Sequence, residues 1–248
     1  MTNALTVSAI QYQALDGGIL PNAMEHVRLI EDAESHGARL AVFPELSLLG
    51  YDLALLASPQ HWLVQGDGRL DDVREICRRT GITAVVGGAY REPRGNPRLA
   101  SLAIHPDGTT ESAFKTHLHG REKDIFVAGN GASVLQLDGW RIGLAICFDA
   151  AVPAHSTGAA EAGADAYAVS AVYTADEGHR LELHLGARAM DNRMFGIVAN
   201  LGGNTALGSS CGLSGFWGPD GLRMKKAAGT GTEVVTATLS RSALLKFR

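Results

Sequence analysis

The sequence predicts an α/β protein: one domain, residues 1–248, in which two mixed β-sheets pack face to face with helices outside. Three observations carry this. Short apolar, β-rich runs occur both as hairpins over tight turns and as β-α-β units. About four longer segments show helical spacing. No linker, composition shift or internal repeat divides the chain, which is long enough to bury a substantial core.

In order, residues 5–11 alternate and read as a strand. Asp16-Gly17-Gly18 is a loop, and Pro21 suits a helix start. Ala23, Val27, Ile30 and Ala33 keep helical spacing up to a stop near Gly37. Residues 39–43 form a buried strand ending at Pro44-Glu45, and the short β-α-β unit favours neighbouring, parallel strands. Residues 46–68 are loop-like, with a short helix at 53–57. A helix spans 71–80, with Val73, Ile76 and Cys77 on one face, so Cys77 belongs to the core. Residues 82–90 and 99–105 form a hairpin over a Pro/Gly turn at 91–97. After the turn Pro106-Asp107-Gly108, a strand at 111–114 delivers Lys115. Residues 116–131 are polar and irregular. A second hairpin, 133–137 with 141–146, turns over Asp138-Gly139. A small-residue helix at 154–163, a strand at 166–170, a long helix at 177–192 and a strand at 195–200 follow. The Gly-rich stretch 201–212 reads as a strand connection. Strands at 214–217, 222–226 and 233–239 complete the sheets, and the amphiphilic tail 241–248 is placed to cross onto a partner subunit.

The formal net charge of −4 gives no basic footprint for nucleic acid. Cys77, Cys147 and Cys211 form no C-x-x-C pair, which argues for a reducing compartment and against a disulfide framework or zinc site. The start of the chain lacks a basic, apolar leader, and no run reaches the roughly 20 apolar residues a membrane helix needs. The expectation is a soluble, cytoplasmic protein without a cofactor.

The chemistry centres on Cys147. Alone, a cysteine closing an apolar strand reads as a buried core thiol. Two other strands, however, also end on reactive groups, Glu45 and Lys115. A thiol needs a base, because the thiolate is the nucleophile. A partly buried Glu45 has a raised pKa and can take that proton. Lys115 can stabilise the oxygen of a tetrahedral intermediate, assisted by the backbone N–H of Phe148 if the chain turns sharply there. Each residue singly reads as ordinary; the combination reads as acyl transfer.

Three ordered motifs then resemble the carbon–nitrogen hydrolase (nitrilase) superfamily. They are Phe43-Pro44-Glu45-Leu46-Ser47-Leu48-Leu49-Gly50-Tyr51, Phe114-Lys115-Thr116-His117-Leu118, and Gly143-Leu144-Ala145-Ile146-Cys147-Phe148-Asp149. Glu45 and Lys115 lie 70 residues apart, and Lys115 and Cys147 32 apart, which also matches. Gln11, Glu122 with Phe126, the helix end 187–192, Asn200, and Ser210, Gly215, Pro219 and Gly221 extend the resemblance over most of the chain. It implies a four-layer α-β-β-α sandwich that dimerises, or assembles further, through helices beside the site, and needs no metal. It also implies Glu45 as base, Lys115 as oxyanion stabiliser, Cys147 as nucleophile and Glu122 as their support. The implied reaction is hydrolysis of a small linear amide through a thioester. Nitrile hydrolysis or acyl transfer by the same triad, and a degenerate binding or scaffold member of the fold, are the alternatives.

The chain departs from the family after the cysteine. Asp149 and Pro153 are kept, but Ala151 and Ala154 stand where many members have Arg and Glu, which weakens a substrate carboxylate clamp there. Tyr51, Phe148, His155 and Tyr173 are the candidate pocket residues. His117 and His119 share a spacing that would suit a metal pair, but no further ligand pattern accompanies them.

Overall fold

The computed structural model describes residues 2–92 and 95–248. The first sheet runs in the order β14 (Glu233–Ser240), β1 (Ala4–Gln11), β2 (Leu40–Val42), β3 (Thr83–Arg91), β4 (Pro97–Ile104), β5 (Thr110–Phe114). The second runs β13 (Arg223–Lys226), β12 (Gly215–Trp217), β9 (Phe195–Asn200), β8 (Ala166–Ala171), β7 (Trp140–Ile146), β6 (Ser133–Leu137). Both are mixed. β1, β2 and β3 are parallel, joined through α1 (Ile19–Ser35) and α2 (Asp71–Thr80), and β3, β4 and β5 continue as an antiparallel meander. β7, β8 and β9 are likewise parallel, joined through α3 (Pro153–Glu161) and α4 (Gly178–Asn192), with antiparallel strands on each side.

Strand periodicity explains the layers, because successive side chains point to opposite faces. In β8, Ala166 and Ala168 join the cluster between the sheets, while Tyr167 and Val169 pack under α3 and α4. In β9, Phe195, Ile197 and Ala199 face the other sheet and Val198 faces the helices. On the far side, Ala84 and Val86 of β3 meet Ile30 and Ala33 of α1 and Val73 and Ile76 of α2. Three apolar seams therefore separate four layers, and the α-β-β-α sandwich is the fold.

Some boundaries differ from the sequence reading. α1 begins at Ile19, before Pro21. Proline is tolerated in a first turn, where its missing N–H would be unpaired anyway. Asn22 fixes the entry: its side-chain amide donates to Leu15 O at 2.9 Å and Gly18 O at 2.7 Å. The Gly-rich connection carries a small ribbon, β10 (Asn204–Thr205) with β11 (Gly208–Ser209). The expected turn at 91–97 lies partly outside the described residues. The tail forms α5 (Arg241–Leu245) and folds back on its own chain, where Arg248 Nη1 bonds Asp165 Oδ1 at 2.9 Å and the Arg241 guanidinium stacks over Trp140. Among the described residues no helix is long and apolar enough to cross a membrane.

Candidate active site

Three strand ends converge. The loop after β2 carries Glu45 and lies directly on β3. A Cβ placed on Gly87 of β3 would sit 2.2 Å from Pro44 O and 2.6 Å from Leu46 N, so only glycine admits this approach. Leu48 N donates to Gly87 O at 3.1 Å, and Gly87 N donates to Ser47 Oγ at 3.2 Å. His26 of α1 completes the support: its ring stacks on Phe43 at 4.0 Å and its Nε2 meets Ser47 Oγ at 2.9 Å. Burial lowers the His26 pKa to about 3, so this prop is neutral.

Lys115 leaves β5 with its amide donating to Leu99 O at 2.9 Å. Its Nζ donates to Glu45 Oε1 and to Glu122 Oε1, each at 2.6 Å. Glu122 comes from a 3-10 turn, Gly120–Asp124, within the segment read as irregular. Its Oε1 also accepts from Tyr51 Oη at 2.5 Å, and its Oε2 from His119 N at 2.8 Å. Glu45, Lys115 and Glu122 are all buried.

Cys147 opens a 3-10 turn, Cys147–Ala151, directly after β7, with φ +47°. Its Sγ lies 3.6 Å from Val172 O. Leu46 and Tyr51 also have positive φ, at +46° and +62°. Such conformations cost on the order of 1–3 kcal/mol each in non-glycine residues and gather where the surroundings impose a functional geometry.

Electrostatics give the cluster its chemistry. Burial raises the Glu45 pKa to about 7 against the opposing pull of Lys115, with Glu122 adding to the rise. The nearby Cys147 thiol acts in the opposite direction and favours the charged form. Glu45 Oε2 has no hydrogen-bond partner among the described residues. Burial opposes the charge on Lys115, but Glu45, Cys147 and Glu122 outweigh it and hold the ammonium charged. The Cys147 thiol is pushed up by burial and then by the Glu45 charge, with Lys115 opposing. The resting arrangement is thus a neutral thiol beside a carboxylate that exchanges its proton near neutrality.

The sequence reading did not give Asp149 its structural part. Asp149 is buried and accepts from Ile146 N at 3.1 Å, His117 N at 2.8 Å, Thr116 N at 3.2 Å and His117 Nδ1 at 2.9 Å. One carboxylate thereby ties the turn of Cys147 to the exit of Lys115. Arg188 of α4 donates from Nε to Ala150 O at 2.9 Å and braces the same turn from behind. The signal available for Gly87 was a glycine pair inside a strand, Gly87-Gly88.

A cavity of about 120 Å³ reaches the thiol, lined by Tyr51, Lys115, Glu122, Cys147, Phe148 and Tyr173 among others. Three of the four candidate pocket residues are therefore at the cavity. His155 is not among its lining residues: it is buried behind the cysteine turn, with Nδ1 2.8 Å from Tyr167 Oη. Helix packing of α3 turns it inward. Ala151 lines the cavity, as does Arg180 of α4. His117 turns to Asp149 and His119 packs on Phe148 at 4.8 Å, so the two do not form a pair. Glu177, Arg180, His184 and Leu207 are further lining residues that the sequence reading did not single out.

Similarity to known proteins agrees with this geometry. The carbon-nitrogen hydrolase family model matches residues 6–248. An (R)-stereoselective amidase of Pseudomonas sp. is 27% identical over 200 residues, 79% of this chain and 70% of that protein. A nitrilase of Pyrococcus abyssi is 29% identical over 178 residues, 70% of this chain and 66% of that protein. Among solved structures, Saccharomyces cerevisiae Nit3, a nitrilase-superfamily member, superposes with TM-score 0.91 at 19% identity, covering 100% of this chain and 94% of that one. An amidase mutant from Nesterenkonia sp. AN1, whose active-site cysteine carries an acrylamide Michael adduct, superposes with TM-score 0.86 at 25% identity, covering 98% of this chain and 96% of that one. With a family match across almost its whole length, on the family's own four-layer framework, the chain belongs to the carbon-nitrogen hydrolases.

Proposed function

We propose that the protein is a thiol amidase that cleaves a small linear amide. The Glu45 carboxylate takes the thiol proton as Cys147 Sγ attacks the amide carbon. The carbonyl oxygen becomes an oxyanion facing Lys115 Nζ and the N–H of Phe148, whose place in the first turn of a 3-10 segment leaves that N–H without an intra-turn partner. The C–N bond breaks as Glu45 returns the proton to the leaving nitrogen, giving ammonia or an amine and a thioester on Cys147. A water then loses a proton to Glu45 and attacks the thioester carbon. Collapse releases the carboxylic acid, and the proton returns to the thiolate. Glu122 acts by holding the Lys115 ammonium that it shares with Glu45.

The observation that carries this reading is the raised pKa of Glu45, about 7, with its second oxygen unpartnered beside the cysteine. The test is ammonia release from a panel of amides and nitriles by wild type and Cys147→Ala. Equal release by both sinks the reading. Release of acid from nitriles alone makes the protein a nitrilase, and acyl hydroxamates formed in added hydroxylamine would reveal acyl transfer.

A second copy of the chain is the proposed partner. α4 begins next to the site, where Arg180 and His184 line the cavity, and it leaves Leu183 and Met190 69% and 46% exposed; Leu222, 69% exposed, follows Gly221, which lies against Met190. Apolar side chains grouped in this way favour association.

A further inference from the structure

Tyr51, His119 and Leu207 line the catalytic cavity. The same three residues line a second cavity of about 370 Å³ on the outer side, walled by Leu53, Ala54 and Ala206. Leu207 sits at the tip of the β10–β11 ribbon and is 52% exposed, so the ribbon tip forms the partition between the two spaces. Two polar pairs of the inner wall are matched with each other. Arg180 Nη1 donates to Glu177 Oε1 at 2.9 Å, and Tyr173 Oη meets His184 Nδ1 at 3.0 Å. In the outer wall, Asp52 Oδ1 accepts from Ala54 N at 2.9 Å. Leu53, Ala54, Ala206 and Leu207 give the outer chamber an apolar wall that an aliphatic group can cover without desolvating a charge, while Arg121 lines it as well.

Resting on the amidase reading, we propose that the substrate is an amide with an uncharged aliphatic tail. The amide lies in the inner chamber, and the tail passes between Tyr51, His119 and Leu207 into the outer one. The tail belongs either to the acyl side or to the amine side, and both present the same chemistry to Leu53, Ala54, Ala206 and Leu207.

The test measures kcat/KM for primary amides from butyramide to octanamide, and for N-alkyl acetamides of increasing length. Octanamide with a terminal carboxylate serves as the charged comparison, because Arg121 stands at the outer rim. A fully buried methylene is worth about a fourfold effect, and a chamber open to solvent about twofold per methylene. Butyramide to octanamide should therefore rise about 16-fold, or the amine series should rise in the same way. Ala54→Trp fills the outer chamber from an exposed position and should flatten the rising series. Leu207→Asp should flatten it as well, by placing a charge in the passage. Flat series in wild type, preference for the carboxylate-terminated amide, or slopes unchanged in both variants overturns the inference while Cys147-dependent hydrolysis of short amides leaves the amidase reading standing. No turnover of any amide overturns both.

Discussion

At Glu45 one proton governs the reaction. The folded pKa of about 7 lies above the ordinary value because burial penalises the charged form. The base works only when deprotonated, so kcat/KM for an amide should climb with pH and level off above about 7, falling roughly tenfold per unit below it. Lys115 is held above its usual range, so it adds no falling limb near neutrality. A profile flat from pH 5 to 8 would exclude Glu45 as the base. Thiol chemistry separates the three cysteines on the same ground. Cys77 is buried and pushed up to about 12, and Cys211 up to about 11, and among the described residues no carboxylate is bonded to either. Cys147 is pushed up as well, but the Glu45 carboxylate lies close to it. Alkylation by iodoacetamide, followed by peptide mass spectrometry, should label Cys147 first, and Glu45→Gln should slow it about 100-fold or more. Uniform slow labelling would instead favour a non-catalytic member of the fold.

Two elements decide whether these groups meet. The loop after β2 reaches the site only because Gly87 lets it lie on β3. Gly87→Ala should push Pro44 and Leu46 away, costing about 1–3 kcal/mol of stability and most of kcat, both measurable by thermal melts and amide turnover. Activity lost with the melting temperature unchanged would still fit displacement of Glu45; activity unchanged would not. The turn after β7 depends on Asp149. Asp149→Asn keeps the shape but replaces a carboxylate acceptor facing several donors with an amide that must itself donate. It should lower kcat about 10-fold or more while the circular dichroism spectrum is retained, and KM should change less than kcat. These elements were only partly legible in the sequence. The β3 strand and its Gly87-Gly88 pair could be seen, but the loop that the gap admits is about 40 residues away along the chain. Asp149 could be recognised as a family-like residue, yet its partners on the Lys115 segment depend on how β5 and β7 are brought together.

For the whole molecule, the four layers bury one face of each sheet against the other and the opposite face under helices. α4, next to the site, leaves Leu183 and Met190 exposed. In solution the chain should sediment as a dimer, and Leu183→Asp combined with Met190→Asp should shift it to monomer, read by analytical ultracentrifugation. A monomeric wild type would remove the proposed partner. The β-rich runs, the helical spacing and the turn residues set strand and helix identity locally, so the sequence by itself determined the two-sheet sandwich. It also determined the three reactive strand ends, because strand exits follow from short-range pattern. Tertiary structure alone decided that Glu122 and Glu45 share one ammonium and that His155 turns away from the cavity. It also set the ribbon tip at Leu207 between two chambers. The physical reason is that pKa, cavity shape and hydrogen-bond partners depend on groups distant in sequence, which desolvate or contact one another only after the sheets have packed.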